Sequence, residues 1–236
     1  GFLAGYLVLA LEKITEKMPD SMDGLRPMLI YPVVGLLLIS VIMFAINPFF
    51  SWLNQLLADA LNSLSGANSI LLGVILGGMM SIDMGGPFNK AAYVFGTASL
   101  AYQTEAGYMI MAAVMVGGMV PPIAIAISSW IFKNKFTDND RKTAPVNAIM
   151  GLCFISEAAI PYAAGDPLHV IPSCVIGSAV AGALSMAFKC TLMAPHGGIF
   201  VFPVVGHALM YIVALLIGSI VGAIMLGLLR KPVESK

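Results

Sequence analysis

Apolar residues fill this chain in long unbroken runs, and polar residues gather in a few short ones. Residues 28–47 are apolar throughout and long enough to cross a bilayer at about 1.5 Å per residue. Residues 107–132, 168–188 and 204–229 read as further spans, the first of them interrupted by Pro121-Pro122. Residues 1–11 read as the end of another apolar helix, so the chain is expected to be a fragment whose earlier spans are missing. Residues 12–27, 133–145 and 230–236 read as polar loops and a polar tail. Residues 48–64 carry Trp52, Asn54, Gln55 and Asp59 on an otherwise apolar pattern, which predicts an interfacial amphipathic helix.

Two stretches fit neither description. In residues 68–101 the run SILLGVILGGMM meets SIDMGGPFNKAAY and resumes as VFGTASLA. Each limb is short for a crossing, and the middle holds Asp83, Gly85-Gly86-Pro87, Asn89 and Lys90. In residues 147–164 a carboxylate, Glu157, sits among Leu, Phe, Ile and Ala, followed by Pro161 and then Gly165-Asp166-Pro167. Both predict re-entrant helical hairpins, which a membrane tolerates only where the tip is buried in protein or lines a cavity. Residues 191–203, with PHGGIF, predict a turn or a short re-entrant piece.

Composition sharpens the class. The chain is 59% hydrophobic and 10% charged, with a mean hydropathy of +0.92. Soluble domains carry roughly 25% charged residues. An all-α polytopic membrane protein is the expected fold, and the continuous apolar runs argue against a β-barrel. A net charge of zero gives no basic field for nucleic acid. Cys153, Cys174 and Cys190 lie in apolar runs without metal-ligand spacing and read as small buried hydrophobes. No pattern calls for a metal or an organic cofactor, and no soluble-type catalytic motif is present.

Ten of the twelve Lys and Arg residues lie in 12–27, 133–145 and 230–236, which assigns those segments to the cytoplasmic side. The loops holding Asp59 and Glu105 then face outward. The crossings balance only if both broken stretches are re-entrant. The first hairpin enters from outside and the second from the cytoplasm, and they meet near the midplane, where transporters place substrate.

Glu157 is the leading site residue, because an ionised acid in apolar surroundings needs a partner and usually a function. Its structural alternative is a pairing with Lys90 or a backbone donor. Asp83 and Lys90 have the alternative of neutralising each other within their hairpin. Asn89 offers donor and acceptor beside the Gly-Gly-Pro turn. Asp166 and His169 fit a turn or N-cap as well as a site. His196, beside two glycines, is the better placed histidine, and His207, at a span start, reads as structural.

SIDMGGPFNKAAYVFG, GLCFISEAAIPYAAGDPLHVIPS and APHGGIFV together resemble the membrane component, enzyme IIC, of the fructose–mannitol branch of the bacterial phosphoenolpyruvate-dependent sugar phosphotransferase system. The fructose family is the best match, and there the hairpin commonly reads Thr-Glu-Gly-Ala-Ile-Pro where this chain has Ser156-Glu157-Ala158-Ala159-Ile160-Pro161. His169 also stands where the family often has Arg. The match spans the whole chain and corresponds to the C-terminal part of such a permease domain, without the IIA and IIB domains.

The resemblance implies a multi-pass permease of the bacterial inner membrane, homodimeric, that binds fructose or a similar sugar. It would present that sugar to a phosphorylated IIB domain, with IIA, HPr and enzyme I upstream. Glu157 inherits contact with the hydroxyl that becomes phosphorylated. Asn89, Lys90, Asp83, His196 and Asp166 follow as further substrate contacts. The chain holds no phosphoryl-carrier residue, so it would be one part of a sugar phosphotransferase. The competing classes are an ion-coupled secondary sugar transporter, which would depend on an ion gradient, and a non-transporting scaffold, which would bind no sugar.

Overall fold

The computed structural model describes residues 2–19, 23–64 and 68–233. It divides into two compact units, residues 1–56 and 57–236. The first contains α1 (Phe2–Thr15) and most of α2 (Tyr31–Leu64), preceded by a π-helical turn at Arg26–Ile30. Arg26 ties that turn back to the end of α1, donating to the Met18 carbonyl at 2.9 Å and pairing with Asp23 at 3.0 Å.

α2 passes through Pro48 without a break. The separate interfacial helix expected over residues 48–64 is therefore not formed. One proline deletes one backbone bond, and an apolar sequence has no better use for its other amides than a helix. Arg26–Trp52 is long and apolar enough to span a membrane.

The second unit is built around α5 (Glu105–Ile131), which is buried along almost its whole length. Around it stand α3 (Ser69–Ile82), α4 (Pro87–Leu100), α6 (Asp138–Leu152), α7 (Ile160–Gly165), α8 (Pro167–Ala187) and α9 (Ala208–Leu229). α5, α8 and α9 have the length and composition of membrane spans, which with Arg26–Trp52 makes four among the described residues. The chain is an all-α polytopic membrane protein. A two-residue antiparallel pair, β1 (Thr191–Leu192) with β2 (Val205–Gly206), closes the loop between α8 and α9.

Lipid tails are as apolar as leucine, so membrane helices associate through close backbone approach. Glycines supply it here. A Cβ on Gly73 of α3 would stand 2.5 Å from the Gly182 carbonyl oxygen of α8. A Cβ on Gly117 of α5 would stand 2.7 Å from Gly77 Cα, and one on Gly177 of α8 would stand 3.0 Å from Gly222 Cα of α9.

Pro121 and Pro122 lie inside α5 and do not interrupt it, contrary to the sequence expectation. Each removes an N–H, so the carbonyls four residues earlier, Gly117 and Gly118, lose their helical donors. Two serines replace them. Ser178 of α8 donates to the Gly117 carbonyl at 2.8 Å, and Ser156 donates to the Gly118 carbonyl at 2.6 Å. Ser81 of α3 joins the same knot, its Oγ 2.5 Å from that of Ser178. Side-chain hydroxyls are a recognised way of keeping a proline-containing membrane helix satisfied.

The polar loop expected over residues 133–145 is confined to 133–137. Thr137 and Asp140 form a capping box, each side chain accepting from the other's backbone N–H at 3.1 Å, and α6 starts at Asp138. Pro145 falls within the helix.

The ends of the bundle are distinct. At one, Val233 N–H donates to the Asn134 carbonyl at 3.0 Å, Lys135 donates to the Gly227 carbonyl at 2.5 Å, and Arg230 pairs with Asp166 at 3.3 Å. That end gathers the end of α5, the start of α8 and the end of α9. At the other, Ser99 of α4 donates to the Gly107 carbonyl of α5 at 3.1 Å, and Thr104 caps α5. α3 and α4 form a hairpin open toward this second end. α6 and α7 form one open toward the first, where Thr143 and Tyr162 share a hydrogen bond at 2.8 Å.

Adjacent glycines of α3 test the packing. A Cβ on Gly77 meets Gly182 Cα at 3.2 Å and the Ser178 carbonyl closer still, whereas one on Gly78 makes ordinary contact with Val175 at 3.6 Å. Gly77→Ala is expected to destabilise by about 1–3 kcal/mol through overpacking. Gly78→Ala is expected to leave thermal stability in detergent unchanged or slightly raised, since alanine is the better helix former. Burial also pushes the Cys190 thiol up to about 11, so maleimide at pH 8 is expected to leave Cys190 unmodified until the protein is unfolded.

Candidate functional site

Gly117 and Gly118 lie at the middle of α5, about 20 Å from either end at 1.5 Å per residue. Three turns converge on that level, and local sequence dictates each. The first joins α3 to α4. Asp83 ends α3, and its carboxylate accepts from the N–H groups of Phe88 at 2.8 Å and Asn89 at 2.9 Å. This satisfies orphan donors at the start of α4, which Pro87 opens. Gly85 has φ 122°, a conformation that excludes other residues at low cost. Asn89 is buried and its Nδ2 donates back to the Met80 carbonyl at 2.7 Å.

The second turn follows α6. Phe154 adopts a left-handed conformation, φ 64°, and drives its ring against Gly118, where a Cβ would collide with it. Ser156 then reaches the Gly118 carbonyl. A 3-10 turn over Ser156–Ala159 follows and carries Glu157. The third turn is Pro195-His196-Gly197-Gly198. Gly198, at φ 56°, sits directly against the backbone of residues 152–154, so the second and third turns are packed backbone to backbone.

Glu157 stands where the first and second turns meet. A Cβ on Gly85 would be 2.9 Å from Glu157 Oε1, so the hairpin tip presents bare backbone to the carboxylate. Lys90 Nζ lies 3.8 Å from the same oxygen, with both side chains at least half exposed. Lys90 also lies over the Tyr93 ring at 5.9 Å. His196 meets Tyr93 edge-on at 6.3 Å and Phe154 at 5.1 Å. Glu157, Lys90, Tyr93 and His196 thus form one connected wall of acid, base, imidazole and ring, backed by the buried Phe154 ring. A carboxylate accepts two hydroxyl donors, and aromatic faces cover the apolar side of a small polar ligand.

Among the six site residues singled out in sequence, Glu157, Lys90 and His196 share this wall. Asp83 and Asn89 lie directly behind it, with the atoms described above engaged within their own hairpin. Lys90 therefore pairs with Glu157, and not with Asp83. Asp166 belongs to another cluster, at the basic end of the bundle. It meets His169 Nδ1 at 2.6 Å and Arg230 Nε at 3.3 Å, and the Arg230 guanidinium stacks on Phe136 at 4.5 Å. His207 has φ 58° at the start of α9, and its carbonyl faces the Cys190 thiol. Cys174 and Cys190 are buried free thiols, and Cys153 is partly exposed. No group of three or more metal-ligating side chains occurs among the described residues.

Sequence reasoning passed over Tyr93, Phe154 and Ser156. Tyr93 had a readable signal, since it follows Lys90 by three residues and so shares its helical face. Ser156 had one as well: a hydroxyl beside the acid, in a chain with two adjacent prolines in a span. Phe154 had none, because its left-handed backbone comes from tertiary packing.

The family described as phosphotransferase system, EIIC, matches residues 1–177. The PTS system fructose-specific EIIABC component of Bacillus subtilis (strain 168) is 50% identical over 235 residues, 99% of this chain and 36% of its own length. The fructose permease IIC component of Bacillus amyloliquefaciens is also 50% identical over 235 residues, 99% of this chain and 76% of its own length. The PTS system fructose-specific EIIB'BC component of Escherichia coli (strain K12) is 43% identical over 220 residues, 92% of this chain and 38% of its own length. The chain thus spans little more than a third of the multi-component relatives. No solved structure matches it. With a family match over residues 1–177 and relatives of this identity along nearly its whole length, the chain belongs to the EIIC family of the phosphotransferase system.

Proposed function

We propose that the chain forms the sugar-handling core of a phosphotransferase permease in the bacterial inner membrane. Glu157 receives the hydroxyl to be phosphorylated. The observation that carries this reading is the position of Glu157. It is half exposed, at the level of the middle of α5, at the meeting of hairpins that open to opposite ends. The end rich in Lys and Arg is the cytoplasmic one. Both hairpins are re-entrant, α3–α4 from outside and α6–α7 from the cytoplasm. Fructose is the first candidate substrate, because the relatives are named for it. A IIB domain is the first candidate partner, because relatives carry one on the same chain. The permease is a homodimer.

In this mechanism a sugar arrives from outside and displaces Lys90 from part of the Glu157 carboxylate. The carboxylate accepts from the reacting hydroxyl and fixes its direction. As phosphocysteine of IIB approaches, the phosphorus–sulfur bond breaks and the oxygen–phosphorus bond forms. The hydroxyl proton passes to Glu157 as general base. Lys90 balances charge near the developing anion, Tyr93 and His196 face the sugar, and the buried Phe154 ring backs His196. The product is trapped because it is charged. Asp83 and Asn89 hold the shape of the hairpin tip, and Asp166 holds the junction of α7 and α8 to the end of α9.

The test is sugar phosphorylation by the full-length protein in vesicles, supplied with labelled fructose with or without phosphorylated IIB. Sugar phosphate is expected only with phosphorylated IIB, and Glu157→Gln is expected to lower its rate by about 10²–10⁴-fold. Uptake of unmodified sugar driven by a proton or sodium gradient overturns the proposal.

Ser156 is a positioning residue for Glu157. Ser156→Ala is expected to cut kcat more than it raises KM. Ser156→Thr, which keeps the hydroxyl, is expected to restore most of the rate. Equal loss in both variants would place the defect in packing instead. Re-entry has its own readout. A cysteine at Phe88, 39% exposed beside the first tip, is expected to react with an impermeant thiol reagent added outside. A cysteine at Ala158 is expected to react with reagent added from the cytoplasmic side.

A further inference from the structure

At the basic end of α5, a cavity of about 590 Å³ is lined by Ser129, Trp130, Lys133, Asp138, Arg141 and Lys142. It lies apart from the Glu157 wall and shares no residue with it. Three cations face one carboxylate, and that carboxylate is taken: Asp138 is ion-paired with Arg141. Asp138 offsets one of the three cations, so the lining keeps an excess of positive charge.

Trp130, which lines the cavity, is 45% exposed, and its chain neighbour Ile131 is 61% exposed, both in the last turn of a membrane-length helix. An indole at the end of a span sits at headgroup depth, with its apolar body toward the acyl chains. A group that binds here is held by cations on one side and by exposed apolar surface on the other. Basic pockets at the cytoplasmic boundary of membrane helices recognise anionic headgroups in this way.

We infer that this cavity is a binding site for the phosphate of an anionic phospholipid of the bilayer. Lys133, Arg141 and Lys142 take the phosphate oxygens, and the acyl chains lie against Trp130 and Ile131. The occupant also fixes the junction between α5 and α6. α6 is the first limb of the hairpin that carries Glu157, so the lipid braces that hairpin from its open end. The site does not depend on which sugar is carried.

The full-length protein, stripped with a neutral detergent, would be titrated with phosphatidylglycerol and with phosphatidylcholine, and the retained lipid counted by native mass spectrometry. Phosphatidylglycerol is expected to be retained at least tenfold more tightly. Lys133→Gln with Lys142→Gln is expected to remove most of that preference. Asp138→Asn, which deletes the one carboxylate, is expected to strengthen it, a gain that misfolding does not mimic. Glycerol phosphate at millimolar concentration is expected to compete poorly, because it lacks the chains that Trp130 and Ile131 cover. Equal competition by glycerol phosphate would assign the cavity to free phosphate and overturn the lipid source. Equal retention of the two lipids, or no response to either the double variant or Asp138→Asn, would overturn the site. So would a double variant that keeps its lipid and loses cross-linking to IIB, which would make the cavity a protein docking face. None of these readouts involves sugar phosphorylation, so a failure here is separable from a failure of the proposed function.

Discussion

Two backbone carbonyls in the middle of one helix organise the second unit. Pro121 and Pro122 strip the donors from Gly117 and Gly118, and a buried carbonyl in a membrane protein has no water to turn to. The protein answers with Ser178 and Ser156. The first answer pins α8, and through Ser81 also α3, to the centre of α5. The second pins the turn that carries Glu157. Each bond is worth only about 1 kcal/mol net, but leaving its acceptor unmade would cost more. The register of three helices and one loop is therefore set at a single depth. The glycines at 73, 77, 117 and 182 let the backbones come close enough for it.

Much of this was legible in the sequence, for a plain reason. Membrane burial forces apolar runs into helices, so residues 107–132, 168–188 and 204–229 were readable to within a few positions of α5, α8 and α9. The misreadings have one physical root. Proline and polar residues were treated as breakers, as they are in water. In α2 and α5 the cost of a lost backbone bond is smaller than the cost of unwinding in an apolar medium, so both helices run on through their prolines. In residues 133–145 the polar composition concealed a capping box, and the Thr137–Asp140 spacing was the signal that outweighed it.

The site divides in the same way. Glu157, Lys90 and His196 stood out because each is expensive or distinctive where it sits. Their mutual arrangement was not readable, because it depends on Phe154 in a left-handed conformation and on Gly85 and Gly198 giving up their Cβ positions to neighbouring backbone or carboxylate. Asp166 shared the hairpin's sequence neighbourhood but not its tip. α7 carries the chain back to the basic end before Asp166 is reached, where Arg230 and His169 receive it.

The looseness of the Lys90–Glu157 pair bears on the proposed chemistry. At 3.8 Å and with both partners at least half exposed, such a pair is worth at most about 1 kcal/mol. A tight buried pair would hold the carboxylate against any newcomer, and breaking it would cost about 3–5 kcal/mol. A hydroxyl donated to a carboxylate is worth about 1.5–3 kcal/mol. In the proposed mechanism a sugar can therefore take one oxygen of Glu157 from Lys90 at a net gain, while the ammonium stays nearby. The rigid part of the arrangement is the backbone that positions Glu157, held through Ser156 to α5. The exchangeable part is the partner of its side chain. A permease that must hold a neutral sugar, present it and let it go needs that division: fixed geometry behind the carboxylate and a weak contact in front of it.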